Sequence, residues 1–233
     1  MRSLGLQFTL PPGNLLLSAA LVVIVFLGNH SLADSQKFEM VKLPDLRING
    51  EPAKAHTQGL EVVGDRYYVT ARQENVTPKR ALLLRTEKNG TAWDFWDVTP
   101  PNPAGDTLPL DHPGGMQSDG KRLWIPIAQS KRNGRSVIRV FSLADIVAGQ
   151  PLRSEFEFPV NDHIGAMAVS PENKLVLGAN WDTEAVYIWD LEGRLKRTLT
   201  TSELTLRGLG SVTDNNSRSG LAVQDWKVLG DSL

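Results

Sequence analysis

The chain has 233 residues, a net charge of −1, a 41% hydrophobic and 22% charged composition, and no cysteine. The charge balance gives no electrostatic handle for nucleic acid. The missing thiols exclude disulfide staples, thiol catalysis and Cys-ligated zinc, so the fold must rest on its own core.

In chain order, residues 1–33 read as a signal peptide. Arg2 precedes the uncharged run LLLSAALVVIVFLG (15–28), and Ser31-Leu32-Ala33 supplies small residues for cleavage after Ala33. That run has the length of a signal-peptide core and is short for a membrane span. The expected location is outside the cytoplasm, periplasmic or extracellular, with no membrane contact after cleavage. An uncleaved N-terminal anchor is the alternative. The segment KFEMVKLPDLRI (37–48) then reads as one strand.

From there the chain repeats with a period of about fifty residues. His56, His112 and His163 each open a copy, and Ser217 takes the same slot in a fourth. A small residue follows three positions on: Gly59, Gly115, Ala166, Gly220. A short apolar strand comes next, then a polar turn at Gly64-Asp65, Asp119-Gly120 or Pro171-Glu172-Asn173. Such turns between short strands are hairpin signals. The second strand is RYYVTA, RLWIPIA or KLVLGA. The third is RALLLR, SVIRVFSL or EAVYIWDL. The fourth is AWDFWDV, RSEFEF or LKRTLT. In the fourth copy the first two strands are GLAV and WKVLG. No long helix is expected, only one turn near Ala144–Val147.

Four short antiparallel strands per repeat predict an all-β fold, a β-propeller with blades near 56–111, 112–162 and 163–216 and a partial blade over 217–233. A β-sandwich is the rival. The strand at 37–48 is expected to complete the last blade. Three blades and part of a fourth predict a truncated chain from a five- or six-bladed parent, with a complete four-bladed ring as the alternative.

In a propeller the slot residue sits just before the innermost strand, so the three histidines are expected around one mouth of the central channel. The loops between second and third strands open on the same face. They carry Arg72-Gln73-Glu74, Gln129-Ser130-Lys131 and Asn180-Trp181-Asp182. The candidate ligand-binding residues are therefore His56, His112, His163, Arg72, Gln129, Asn180 and Asp182. Converging imidazoles can hold a divalent metal such as Zn²⁺, Mn²⁺ or Fe²⁺, which makes His56, His112 and His163 the tentative metal set. Asp111 and Asp162, each preceding a histidine, are candidate ligands or partners that fix the ring tautomer. A metal-activated water would permit a hydrolase or lyase. Without a metal, the same ring can bind an anionic small molecule or carry protons. Histidines that merely close turns in a repeat are the structural alternative. No catalytic residue can be named, and whether the chain is an enzyme stays open.

At HTQGLEVVGDRYYVT (56–70) the chain resembles the glutamine-cyclotransferase-like propellers, which carry a similar Thr-Gln-Gly-Leu run before a Tyr-rich strand. The acidic residue that follows in that family is replaced here by the run Thr70-Ala71-Arg72-Gln73. Over 56–230 the three-histidine pattern and QDWKVLG also look like an uncharacterised family of exported bacterial propeller proteins. These resemblances imply the propeller fold and an exported location. Two function classes remain: a ligand-binding or enzymatic propeller with a small-molecule ligand, and an interaction scaffold whose loops hold a protein partner. A non-functional fragment of a larger propeller is the third possibility.

Overall fold

A computed structural model describes residues 43–102, 105–200, 202–203 and 224–228. The expected signal segment 1–33 lies outside the described residues, as does most of the expected partial blade 217–233.

The order is β1 (Arg47–Ile48), β2 (Glu51–Pro52), β3 (Ala55–Val63), β4 (Arg66–Gln73), β5 (Arg80–Glu87), β6 (Asp94–Asp97), β7 (Leu110–Pro113), β8 (Gln117–Ser118), β9 (Arg122–Gln129), β10 (Ser136–Ser142), β11 (Phe156–Val160), β12 (Ile164–Ser170), β13 (Leu175–Asn180), β14 (Ala185–Asp190) and β15 (Leu195–Thr200). Three antiparallel meanders result: β3-β4-β5-β6, β7/β8-β9-β10-β11 and β12-β13-β14-β15. Their first strands lie side by side, and a parallel bridge joins Gly115 to Ala166 across two sheets. This is the architecture of a β-propeller, and the three meanders are blades 1, 2 and 3. Among the described residues no helix is long and apolar enough to cross a membrane.

The blades pack face to face, so their middle strands bury both sides and read as apolar runs rather than polar alternations. In β9 the period of two still sorts the side chains. Leu123, Ile125 and Ile127 enter a core with Tyr68, Leu83 and Trp96 of blade 1. Trp124, one residue out of phase, enters the other core with Ile164, Met167, Val176 and Trp189 of blade 3.

The turns follow the expected chemistry. Gly64, Gly120 and Gly193 adopt φ of 59°, 88° and 79°. Ser142 caps the expected single turn, a 3-10 turn at Leu143–Asp145, through a bond from the Ala144 amide.

Two expectations are corrected. Of the expected N-terminal strand 37–48, the described residues 43–48 pair with no blade strand. Its described end forms a hairpin, with Arg47 paired to Pro52, and Leu46 and Ile48 cover the outer face of blade 1 over Val69, Ala71, Leu82 and Leu84. The Trp93 indole N–H fastens this cover by donating to Pro44 O at 2.7 Å. Residues 224–228 form no strand. They cross the inner strands instead, because the Gln117 side-chain amide pairs with the Val228 peptide: Nε2 donates to Val228 O at 2.9 Å and Oε1 accepts from Val228 N at 3.0 Å.

The inner strand of blade 2 is split, and Pro126 explains why. Proline has no N–H to give the ladder. Gly114 N still donates to Pro126 O at 2.9 Å, but Gly114 O turns to the Thr70 hydroxyl of blade 1 at 2.7 Å. Gly115 then bonds to blade 3: its N–H donates to Gly165 O at 2.9 Å, and its O accepts from Met167 N at 3.0 Å. A Cβ on Gly59 would lie 2.7 Å from Gly115 Cα, so the small residue of the repeat marks where inner strands of neighbouring blades touch.

Candidate ligand site at the blade mouth

The repeat delivers the three histidines to one place. His56 sits in β3, His112 in β7, and His163 directly before β12. Two of them thus lie inside inner strands rather than before them. Ring centroids are 6.0 Å apart for His56 and His112, and 5.5 Å for His112 and His163. Trp181 completes the cluster, stacked on His112 at 6.0 Å and edge-on to His163 at 4.4 Å.

The three rings have different jobs. His163 is 2% exposed. Its Nδ1–H donates to Gln129 O at 2.8 Å and Lys131 O at 3.0 Å, holding the β9–β10 loop against blade 3. Burial pushes its pKa down, against the two carbonyl bonds, which favour the protonated ring. His112 is half-buried, and its Nδ1 lies 3.1 Å from Arg72 Nη1. A guanidinium only donates, so this Nδ1 is the acceptor and Nε2 carries the proton of the neutral ring. That Nε2 lies 3.3 Å from the Gln58 side-chain nitrogen. Burial lowers the His112 pKa to about 4, helped by the positive charges of His163, Arg72 and His56. His112 is therefore neutral at physiological pH. His56 is exposed, with Nδ1 3.2 Å from the Gln58 amide.

Arg72 is held from behind. Its Nε donates to Glu74 Oε1 at 2.5 Å, and Glu74 also pairs with Lys79. Burial opposes ionisation of Glu74, but the bonds from Lys79 and Arg72 win and keep its carboxyl below the usual range. Arg72 also donates to the Ser130 hydroxyl, which in turn donates to Asp111 Oδ1 at 3.2 Å.

Of the expected site residues, His56, His112, His163 and Arg72 are brought together. The others build the frame. The Gln129 amide is spent on Asp106, Leu108 O and Arg135 N. Asn180 accepts from the Glu184 and Ala185 amides and donates to Asp162. Asp182 pairs with Arg132. Among the described residues neither aspartate hydrogen-bonds an imidazole: Asp162 accepts the backbone N–H of His163 and the Tyr187 hydroxyl, and Asp111 accepts from Ser130. Gln58 and Ser130 belong to the site, although only the Thr-Gln-Gly run and the loop triplet hint at them.

Among the described residues no group of three or more His, Asp or Glu side chains is arranged to hold a metal ion. A guanidinium stands at His112 Nδ1, which places a positive charge beside that ring. Arg72, Ser130 and the rings of His112 and Trp181 lie together at the mouth.

The model of a family of unknown function (DUF6454) matches residues 32–212. No curated protein matches. Among solved structures, the β-propeller domain of the Trilobed protease from Pyrococcus furiosus, described as having an open velcro topology, is similar at 12% identity and a TM-score of 0.38. The match covers 62% of this chain and 42% of that one.

Proposed function

We propose, from the premise that the chain belongs to this family of unknown function (DUF6454), that the protein binds a small planar carboxylate at the blade mouth. The observation that carries the reading is the Arg72–His112 bond beside the stacked Trp181 ring. The carboxylate meets the Arg72 guanidinium, and its planar body lies on Trp181. Gln58, from the run that resembles glutamine-cyclotransferase-like propellers, bridges His56 and His112 and sets the rim.

Benzoate is the probe. In calorimetric titration it is expected to bind the intact protein, and Arg72→Ala or Trp181→Ala is expected to weaken binding about tenfold each, the loss of one charge-assisted contact or one aromatic face. Binding left unchanged in both variants would overturn the site. No binding to the wild-type chain would turn attention to the same loops as a protein-docking face.

The location we propose is outside the cytoplasm, supported by the uncharged run 15–28 and Ser31-Leu32-Ala33. Expressed in its host, the protein is expected to carry Asp34 as its N-terminal residue by mass spectrometry. A chain retaining Met1 or Arg2 would count against cleavage.

A further inference from the structure

Beyond the histidine layer, the inner strands carry a second polar cluster that the mouth does not use. It consists of Glu61 of β3, Gln117 of β8, and Asp225 and Lys227 of the crossing segment 224–228. We propose that the inner face of the three blades is a docking site for an extended peptide, filled here by residues 224–228 as an internal strap, and that a rise in pH releases the strap.

Blades 1 and 2 contact the strap, and blade 3 braces the seat through Gln117. Blade 1 gives the Leu60 amide, which donates to Asp225 Oδ2 at 3.1 Å. Blade 2 gives Met116 O, which accepts from Lys227 Nζ at 2.6 Å, and the Gln117 amide, which pairs with the Val228 peptide as a neighbouring strand would. Gln117 Oε1 also accepts from Val169 N of blade 3 at 2.8 Å, so the strap and blade 3 share one acceptor. Gly115 makes room, since a Cβ there would stand 2.6 Å from Asp225 Cα. Such backbone pairing with spaced side-chain contacts is how extended peptides are commonly bound.

The charges explain the release. Lys227 Nζ lies 2.6 Å from Asp225 Oδ1 and 3.6 Å from Glu61 Oε2. Two carboxylates thus share one ammonium. With both ionised the cluster carries an excess negative charge in a site where Glu61 is 9% exposed. With Glu61 protonated it is neutral. Burial pushes Glu61 up to about 7, against Lys227 and the Ser118 amide, and burial also raises Asp225. The other groups around Glu61 do not change this balance. The strand β8 presents Gln117 and Ser118, β12 carries no ionisable side chain, and Tyr68 is the cross-strand partner on β4. The strap is seated when Glu61 is protonated and loosens as pH rises through its pKa.

Amide hydrogen exchange of the full chain tests this at about pH 5.5 and about pH 8.5, corrected for intrinsic rates. Protection of the Val228 amide is expected to fall about tenfold or more at the higher pH in the wild-type protein and to persist in Glu61→Gln, which is neutral throughout. The Ile125 amide of β9 serves as the folding control in the same samples. Equal protection of Val228 at both pH values, with Ile125 protected, would overturn the proposal. So would an equal loss in wild type and Glu61→Gln.

Discussion

Replacing Trp124 by alanine is expected to lower stability by about 3–5 kcal/mol, the cost of emptying a tryptophan-sized site in a packed core. Trp124 is fully buried in β9, between blades 2 and 3. Its ring meets Phe156 edge-on at 5.5 Å, and the Arg122 guanidinium lies 5.1 Å from its centroid. Its indole N–H donates to Asp119 Oδ2 at 3.1 Å. Asp119 does not depend on that bond, because Lys121 N, Arg122 N and Arg122 Nε also donate to it. The loss is therefore mainly one of packing, and Trp124→Phe should recover more than half of it. A domain of ordinary stability has only about 5–15 kcal/mol in hand. Urea denaturation followed by circular dichroism should show the midpoint of Trp124→Ala falling well below that of Trp181→Ala, which truncates a partly exposed ring of the mouth. Equal midpoints for the two variants would mean that the blade 2–blade 3 interface does not hold the fold.

That contrast also shows what the sequence could and could not say. The repeat was legible because a blade is a unit with one hydrogen-bonding order, so its strands and turns recur at a fixed spacing. The histidine slot was legible for the same reason: equivalent positions on inner strands meet at one end. The roles within the slot were not, because they depend on what crosses from neighbouring blades. His163 donates to the β9–β10 loop of blade 2, while His112 accepts from Arg72 of blade 1, and no spacing encodes that difference. Gln129 looked like a mouth residue from its loop position, yet its amide turns inward to satisfy the Leu108 carbonyl and the Arg135 amide. The segment at 224–228 misled in another way. Its Gln-Asp-Trp-Lys-Val run has strand-like composition, but its backbone partner is a side chain, Gln117, and a side-chain partner leaves no periodic trace.

Two groups shifted by burial, Glu61 and His112, should give the protein an unusually flat stability profile in weak acid. Glu61 has its pKa raised from 4.5 to about 7 by burial, against Lys227 and the Ser118 amide. Between those values the native state holds more protons than the unfolded chain, so this group's contribution is complete below about pH 4.5 and is lost as pH rises through 7. His112 has its pKa lowered from 6.5 to about 4, first by burial and then by neighbouring positive charge. Between those values the unfolded chain holds more protons, so stability rises with pH over that window. Each shift corresponds to roughly 3 kcal/mol, and from about pH 4.5 to 6.5 the two slopes oppose and nearly cancel. Asp225 leans with Glu61, and His163 leans with His112. Glu61→Gln removes one arm: its stability should climb between about pH 4.5 and 6.5, where the wild type stays level. His112→Gln removes the other: its stability should fall between pH 4.5 and 7. Glu74 and Asp119, held below the usual carboxylate range, remove stability at lower pH in every variant, so differences between variants carry the result. Chemical denaturation at half-unit steps from pH 4 to 8 reads these slopes directly. Parallel curves for wild type, Glu61→Gln and His112→Gln would show that neither group changes its proton affinity on folding.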